Sequence, residues 1–336
     1  MPELVGIGDA HFDKLDSIIP DATPKITRCW RKVFKYAQDR AIPDVIFYGD
    51  IGEKHRLSDG AQCAILDTVL REEYSDLRLH FILGNHDFSE DGQHSLTWLE
   101  VIAKRLNKNF RVYTKQELIK IQGVPFNMLP YPFEETLKDH INVGHFEVKG
   151  SVRDNGKSID EGPSSKHTTL MGHLHTKHRV RNTYFSGTLY QTNFGESMPK
   201  SFHHVKFDSA KDYEVNDIAF KPPWELRNSM VSSMDDVKAL ATESHILHKL
   251  FVKDGADVDI NYVLQNYPNV VRHKAFKSKA DLKQQIEEAW DFESGLTDEI
   301  VNPINDKDVI ADWMRKDGHK SKQIRRGFEI LDRLQA

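Results

Sequence analysis

His80-Phe81-Ile82-Leu83-Gly84-Asn85-His86-Asp87 is the stretch on which the fold of this chain turns. Phe81, Ile82 and Leu83 form a short apolar run closed by Gly84, which reads as a buried strand. Gly84 then releases the chain into three residues able to bind a metal or move a proton. A strand with such an ending delivers those groups to the rim of a sheet, where α/β proteins hold their ligands. The pattern recurs four more times: Gly8-Asp9 after Leu4–Ile7, Gly49-Asp50 after Val45–Tyr48, Gly144-His145 after Ile141–Val143, and Gly172-His173 after Thr168–Met171. Glycine at that step permits the sharp bend and close backbone approach needed where several strand ends meet in one small volume.

Outward from these strands, helical spacing predicts a helix from Lys25 to Arg40 and another N-capped by Ser58 and running to Tyr74. A third is expected over Ser95–Leu106, with Leu96, Leu99, Ala103 and Leu106 on one face. Strands alternating with helices argue for a parallel, helix-flanked sheet. Shorter strand-like pieces follow at 111–113, 117–122, 125–129 and 184–187, around a Gly- and Ser-rich loop at 151–166. The expected architecture is therefore α/β, with residues 1–198 forming a two-sheet sandwich flanked by helices. Residues 199–293 read as a small α+β unit with strands at 205–207, 212–218, 249–252 and 270–276 and helices at 234–243 and 258–265. Residues 294–336 read as a helix pair at 306–316 and 320–334, with Trp313, Ile324, Phe328 and Leu331 at helical spacing.

Composition sets wider bounds. At 336 residues, with 39% hydrophobic and 29% charged residues, the chain has the make-up of a globular protein with a sizeable core. No apolar run approaches the roughly 18–20 residues that span a bilayer. The N-terminus reads directly into a strand, so no leader is expected there. Two cysteines, Cys29 and Cys63, give no disulfide framework and point to a reducing, cytoplasmic compartment. A net charge of −5 lacks the basic footprint of a nucleic-acid binder, yet bound divalent ions attract phosphate whatever the net charge.

With His11 and His175 added, the strand ends offer Asp9, His11, Asp50, Asn85, His145, His173 and His175 as metal ligands. Carboxylate, amide oxygen and imidazole are the donors that hard-to-borderline divalent ions accept. Seven of them suit two metals sharing one bridging carboxylate, with room for a water and a phosphate oxygen. His86 stands one residue past a ligand, where it can face a substrate and protonate a leaving oxygen; Asp87 beside it is the second candidate catalytic residue, in an orienting role.

The ordered set Asp9-x-His11, Gly49-Asp50, Gly84-Asn85-His86-Asp87, Gly144-His145 and Gly172-His173-x-His175 resembles the calcineurin-like metallophosphoesterase superfamily. The likeness is greatest to the Mre11/SbcD nuclease subunits, which include recombination endonuclease subunits of bacteriophages. The segment Phe185–Glu196 and the layout of a small following domain and terminal helices favour that group. The resemblance implies one metal on Asp9, His11, Asp50 and His175 and another on Asp50, Asn85, His145 and His173, with Asp50 as the bridge and Mn²⁺ as the usual ion. It further implies DNA as substrate, a homodimer in a bacterial or phage-infected cell, no membrane association, and a Rad50/SbcC-like ATPase docked on Trp313, Ile324, Phe328 and Leu331. In one place the sequence departs from the group. Glu53, in the run Ile51-Gly52-Glu53-Lys54-His55, stands where a histidine beside the substrate phosphate is common. The rivals are a small-molecule phosphodiesterase or phosphatase with the same site, and a non-catalytic scaffold, against which the complete ligand set argues.

Overall fold

Along β1 (Glu3–Ile7), β2 (Asp44–Phe47) and β3 (Arg78–Ile82), successive side chains enter two different cores. Val5, Ile7, Val45, Phe47, Leu79 and Phe81 face one way, toward the helices. Leu4, Ile46 and Ile82 face the other. That period of two is the signature of a sheet covered on both faces. The computed structural model describes residues 1–89, 92–106, 110–132, 135–154, 156–164, 166–196, 198–240 and 245–277. The chain falls into two units, Met1–Ser294 and Gly295–Ala336, and every described residue belongs to the first.

The helices α1 (Ala22–Gln38), α2 (Asp59–Val69) and α3 (Thr97–Leu106) connect β1, β2, β3 and β4 (Phe110–Tyr113), which run parallel. In α1 the buried residues Ile26, Trp30, Val33 and Ala37 recur at helical spacing, and Trp30 packs its ring on Phe12, Phe47 and Phe81. Ser58 does cap α2, its Oγ accepting the Ala61 N–H at 3.2 Å. The helix expected to reach Tyr74 stops earlier. Arg71 turns extended, and a separate 3-10 turn at Glu72–Tyr74 carries Tyr74 edge-on to Phe34, where it is buried.

A second six-stranded sheet follows: β5 (Glu117–Ile121), β6 (Val124–Leu129), β7 (Ile141–Gly144), β8 (Thr169–Met171), β9 (His178–Val180) and β10 (Thr183–Phe185), ordered β5-β6-β7-β8-β10-β9. Phe126, Met128, Val143 and Leu170 of this sheet join Leu4, Ile46 and Ile82 in one cluster, so the two sheets share a core. The molecule is thus α/β, built on two mixed sheets.

One expectation is corrected. The strands near 205–207 and 212–218, grouped with the following small unit, are β11 (Lys200–Phe207) and β12 (Tyr213–Phe220) of the first sheet, in the order β12-β11-β1-β2-β3-β4. β11 pairs antiparallel with β1 over Gly6↔His203 to Glu3↔Lys206, and its eight residues bury seven on two covered faces. The small unit begins later, with β13 (Glu225–Ser233), a strand the sequence reading missed because polar residues interrupt its alternation. With α4 (Met234–Ala239), β14 (Ile246–Asp257), α5 (Ile260–Asn266) and β15 (Val270–Phe276) it makes a parallel three-stranded sheet. Gln191 joins it to the first core, accepting from the Trp224 indole (2.9 Å) and the Leu226 N–H (2.8 Å). The expected helix pair, with Trp313, Ile324, Phe328 and Leu331, lies outside the described residues. No helix among the described residues is long and apolar enough to cross a membrane.

Candidate metal centre

Parallel strands place their C-terminal ends on one side, and that side gathers every predicted ligand. Asp9 follows β1, Asp50 follows β2, Asn85 follows β3, His145 follows β7, and His173 and His175 follow β8. His11, Asp50 and His173 sit at φ +46°, +47° and +75°. Left-handed backbone at three ligands turns each chain back toward the common centre, a strain that functional sites concentrate. Close approach leaves no space for side chains at the glycines: a Cβ on Gly84 would overlap the Asp50 carboxylate, and one on Gly172 would lie 2.5 Å from Asp9 Oδ1.

The ligands form two donor groups. In one, Nε2 of His11 lies 3.0 Å from Nε2 of His175, which is 3.4 Å from Asp9 Oδ2. In the other, Nε2 of His145 lies 3.0 Å from Asp50 Oδ2, 3.1 Å from Asn85 Oδ1 and 3.2 Å from Nδ1 of His173. Asp50 belongs to both, since the same Oδ2 stands 3.8 Å from Nε2 of His11.

Behind the rings, other groups decide which nitrogen carries the proton. His145 donates Nδ1–H to the Tyr48 carbonyl at 2.8 Å, so Nε2 is the nitrogen turned to the centre. His175 Nδ1 lies 2.9 Å from Glu196. His11 Nδ1 lies 2.8 Å from the Glu53 carboxylate. Imidazole, amide and carboxylate donor atoms therefore converge at little more than 3 Å, an arrangement that needs protons or a metal cation among them. The protonation balance expresses the same demand. Burial opposes charging His145, yet Asp50 and Asp9 push it up to about 9. Burial and the Lys14 ammonium push His11 down to about 4. Burial would raise Asp50, but His145 and His86 hold it well below the carboxylate range. These Asp and His groups lie within metal-binding distance of one another, and oxygen and imidazole donors fit a divalent ion.

His86 lies on a 3-10 turn at Asn85–Asp87, half-buried, its ring edge-on to His11 with centroids 5.0 Å apart. Its Nδ1 donates to the Glu53 carbonyl at 3.0 Å, so Nε2 takes no part in that bond. Asp87, expected in an orienting role, stands behind the ligand-bearing turns. It is fully buried and its carboxylate accepts from Gly84 N (2.9 Å), Gly52 N (3.0 Å), Ile51 N (3.2 Å) and Ser95 Oγ (2.6 Å). It ties two ligand-bearing turns together and touches no open face.

His55 is exposed, while Glu53 faces the centre. Sequence reasoning missed Glu147, Asp154, Glu196 and Lys200. Glu147 Oε1 lies 3.7 Å from His173 Nε2, and Asp154 lies 3.5 Å from His175. Lys200 is buried against Glu196. Glu196, at the end of Phe185–Glu196, and Asp154, in the 151–166 loop, stood in stretches already singled out. His80, His203 and His204 pack against Asp44, Tyr48 and Glu3 away from the centre. No family model matches the chain, and no curated protein matches it.

Proposed function

We propose that this chain is a dimetal-dependent DNA nuclease subunit on a metallophosphoesterase fold, hydrolysing phosphodiesters as exonuclease or endonuclease. The observation that carries the reading is Asp50, whose Oδ2 is shared by two donor groups: Asp9, His11 and His175 on one side, Asn85, His145 and His173 on the other. Two divalent ions, most simply Mn²⁺, would there activate a water and offset the charge of the phosphodiester. The protein's own contribution is orientation. The Tyr48 carbonyl, Glu196 and Glu53 aim imidazole nitrogens inward, and the His86 N–H fixes Asp50 Oδ1 at 3.0 Å. His86, with Nδ1 committed to Glu53, offers Nε2 to the leaving oxygen.

DNA as the substrate, a homodimer and a Rad50/SbcC-like ATPase partner rest on the sequence resemblance, as does reading the three-stranded unit as a capping domain. The test incubates the protein and its His86→Ala variant with end-labelled duplex DNA and Mn²⁺, alongside a nitrophenyl phosphodiester. Cleavage of DNA by the wild type and its loss by roughly 10²–10⁴-fold in His86→Ala support the proposal. Equal cutting by both, or turnover of the small diester with DNA left intact, overturns it.

A further inference from the structure

We propose that the donor group of Asp9, His11, Asp50 and His175 takes a divalent ion before the group of Asp50, Asn85, His145 and His173, and that Glu53 and Glu196 impose this order. The inference rests on the dimetal reading above and adds a sequence of loading to it.

The two groups differ in what stands behind their imidazoles. Both rings of the first are backed by carboxylates: Glu53 lies 2.8 Å from His11 Nδ1 and Glu196 lies 2.9 Å from His175 Nδ1. A carboxylate behind a ligand histidine raises its basicity and adds negative charge near the metal, worth roughly 10–100-fold in affinity. In the second group His145 is backed by a neutral carbonyl, that of Tyr48. His173 has Glu147 only at 3.7 Å, beyond hydrogen-bond reach.

The two backing carboxylates are themselves held in place. Glu196 is buried and accepts from Thr192 N at 3.0 Å and Asn193 Nδ2 at 3.1 Å, while Lys200 pairs with its other oxygen. Lys14 pairs with Glu53 at 3.2 Å. Both glutamates are therefore held against their imidazoles by partners of their own. The second group also contributes a neutral amide, Asn85, where the first contributes Asp9, so the carboxylates of the inner ring favour the same order.

Mn²⁺ titration of the full chain, followed by calorimetry and by the Mn²⁺ spin-resonance signal, tests this. Two separable steps are expected, the first giving the spectrum of an isolated ion and the second a coupled pair. His173→Ala should keep the first step and lose the second, and His175→Ala should lose the first. Glu53→Gln should weaken the first step by roughly 10–100-fold, while Glu53→Asp, which keeps the charge, recovers part of it and Glu147→Gln leaves it unchanged. A single unresolved step, a first step that survives His175→Ala but not His173→Ala, or a folded Glu53→Gln with wild-type affinity overturns the proposal. Ordered loading without DNA cleavage would sink only the nuclease reading. Cleavage of DNA by a protein whose two ions bind in one step would sink only the order.

Discussion

Asp87 Oδ1 accepts the backbone N–H of Gly52 at 3.0 Å, and through it the turn after β2 is pinned to the turn after β3. Ser95 and the N–H groups of Ile51 and Gly84 share the same carboxylate. Asp87→Ala would leave these buried donors without an acceptor, at about 1–3 kcal/mol for each group stranded. Urea unfolding should show a loss of at least ~3 kcal/mol. A variant as stable as the wild type would mean that Asp87 does not hold the turns.

Gly84→Ala probes the convergence of strand ends. The added Cβ would overlap Asp50 Oδ1 and lie 2.6 Å from the Asp50 backbone nitrogen, so the shared carboxylate must move. Overpacking of this kind costs about 1–3 kcal/mol. Calorimetry should show Mn²⁺ affinity falling by at least about tenfold, the loss expected when a supporting group around a ligand is disturbed. Unchanged affinity would contradict the crowding described here.

Far from the centre, Asp44 is a pH-dependent tie. It accepts from Arg78 at 2.7 and 2.5 Å, from Gln122 at 2.9 Å, and lies 3.1 Å from His80 Nε2. Burial would raise its pKa, but Arg78 and His80 pull it down to about 2 from the ordinary 3.8. A lowered folded-state pKa contributes stability above the unfolded value and loses it as pH falls through the folded one. At about 1.4 kcal/mol per unit this is about 2 kcal/mol, present at pH 4 and above and lost towards pH 2. The stability difference between wild type and Asp44→Asn should shrink across that window. Parallel curves would contradict the assignment.

The cysteines should separate in reactivity. Cys29 is buried in α1, and burial pushes its thiol up to about 12, whereas Cys63 is exposed on α2. A thiolate-directed reagent should label Cys63 alone in the folded protein and both residues after denaturation. Labelling of native Cys29 would show that α1 is not packed as described.

Much of this arrangement was legible in the sequence because strand periodicity and Gly-terminated strand ends are local signals. Asp9, His11, Asp50, Asn85, His145, His173 and His175 were all recognisable by position, and the structure brings all of them together. The backing groups were not legible. Glu147 stands two residues after His145 and Lys200 four after Glu196, yet which groups they touch is set by tertiary placement. The sheet membership of Lys200–Phe207 was hidden for the same reason: its partner, β1, lies almost two hundred residues away, at Gly6↔His203. For Asp87, adjacency to His86 suggested an orienting role, but the four donors it accepts from come from three separate segments and could not be read locally.

The central claim is that Asp50 bridges two ions. Anomalous scattering from crystals grown with Mn²⁺ tests it most directly. The account predicts two peaks about 3.5–4 Å apart on either side of Asp50. One should be contacted by Asp9, His11 and His175, the other by Asn85, His145 and His173. A single peak, or peaks outside these residues, would contradict it.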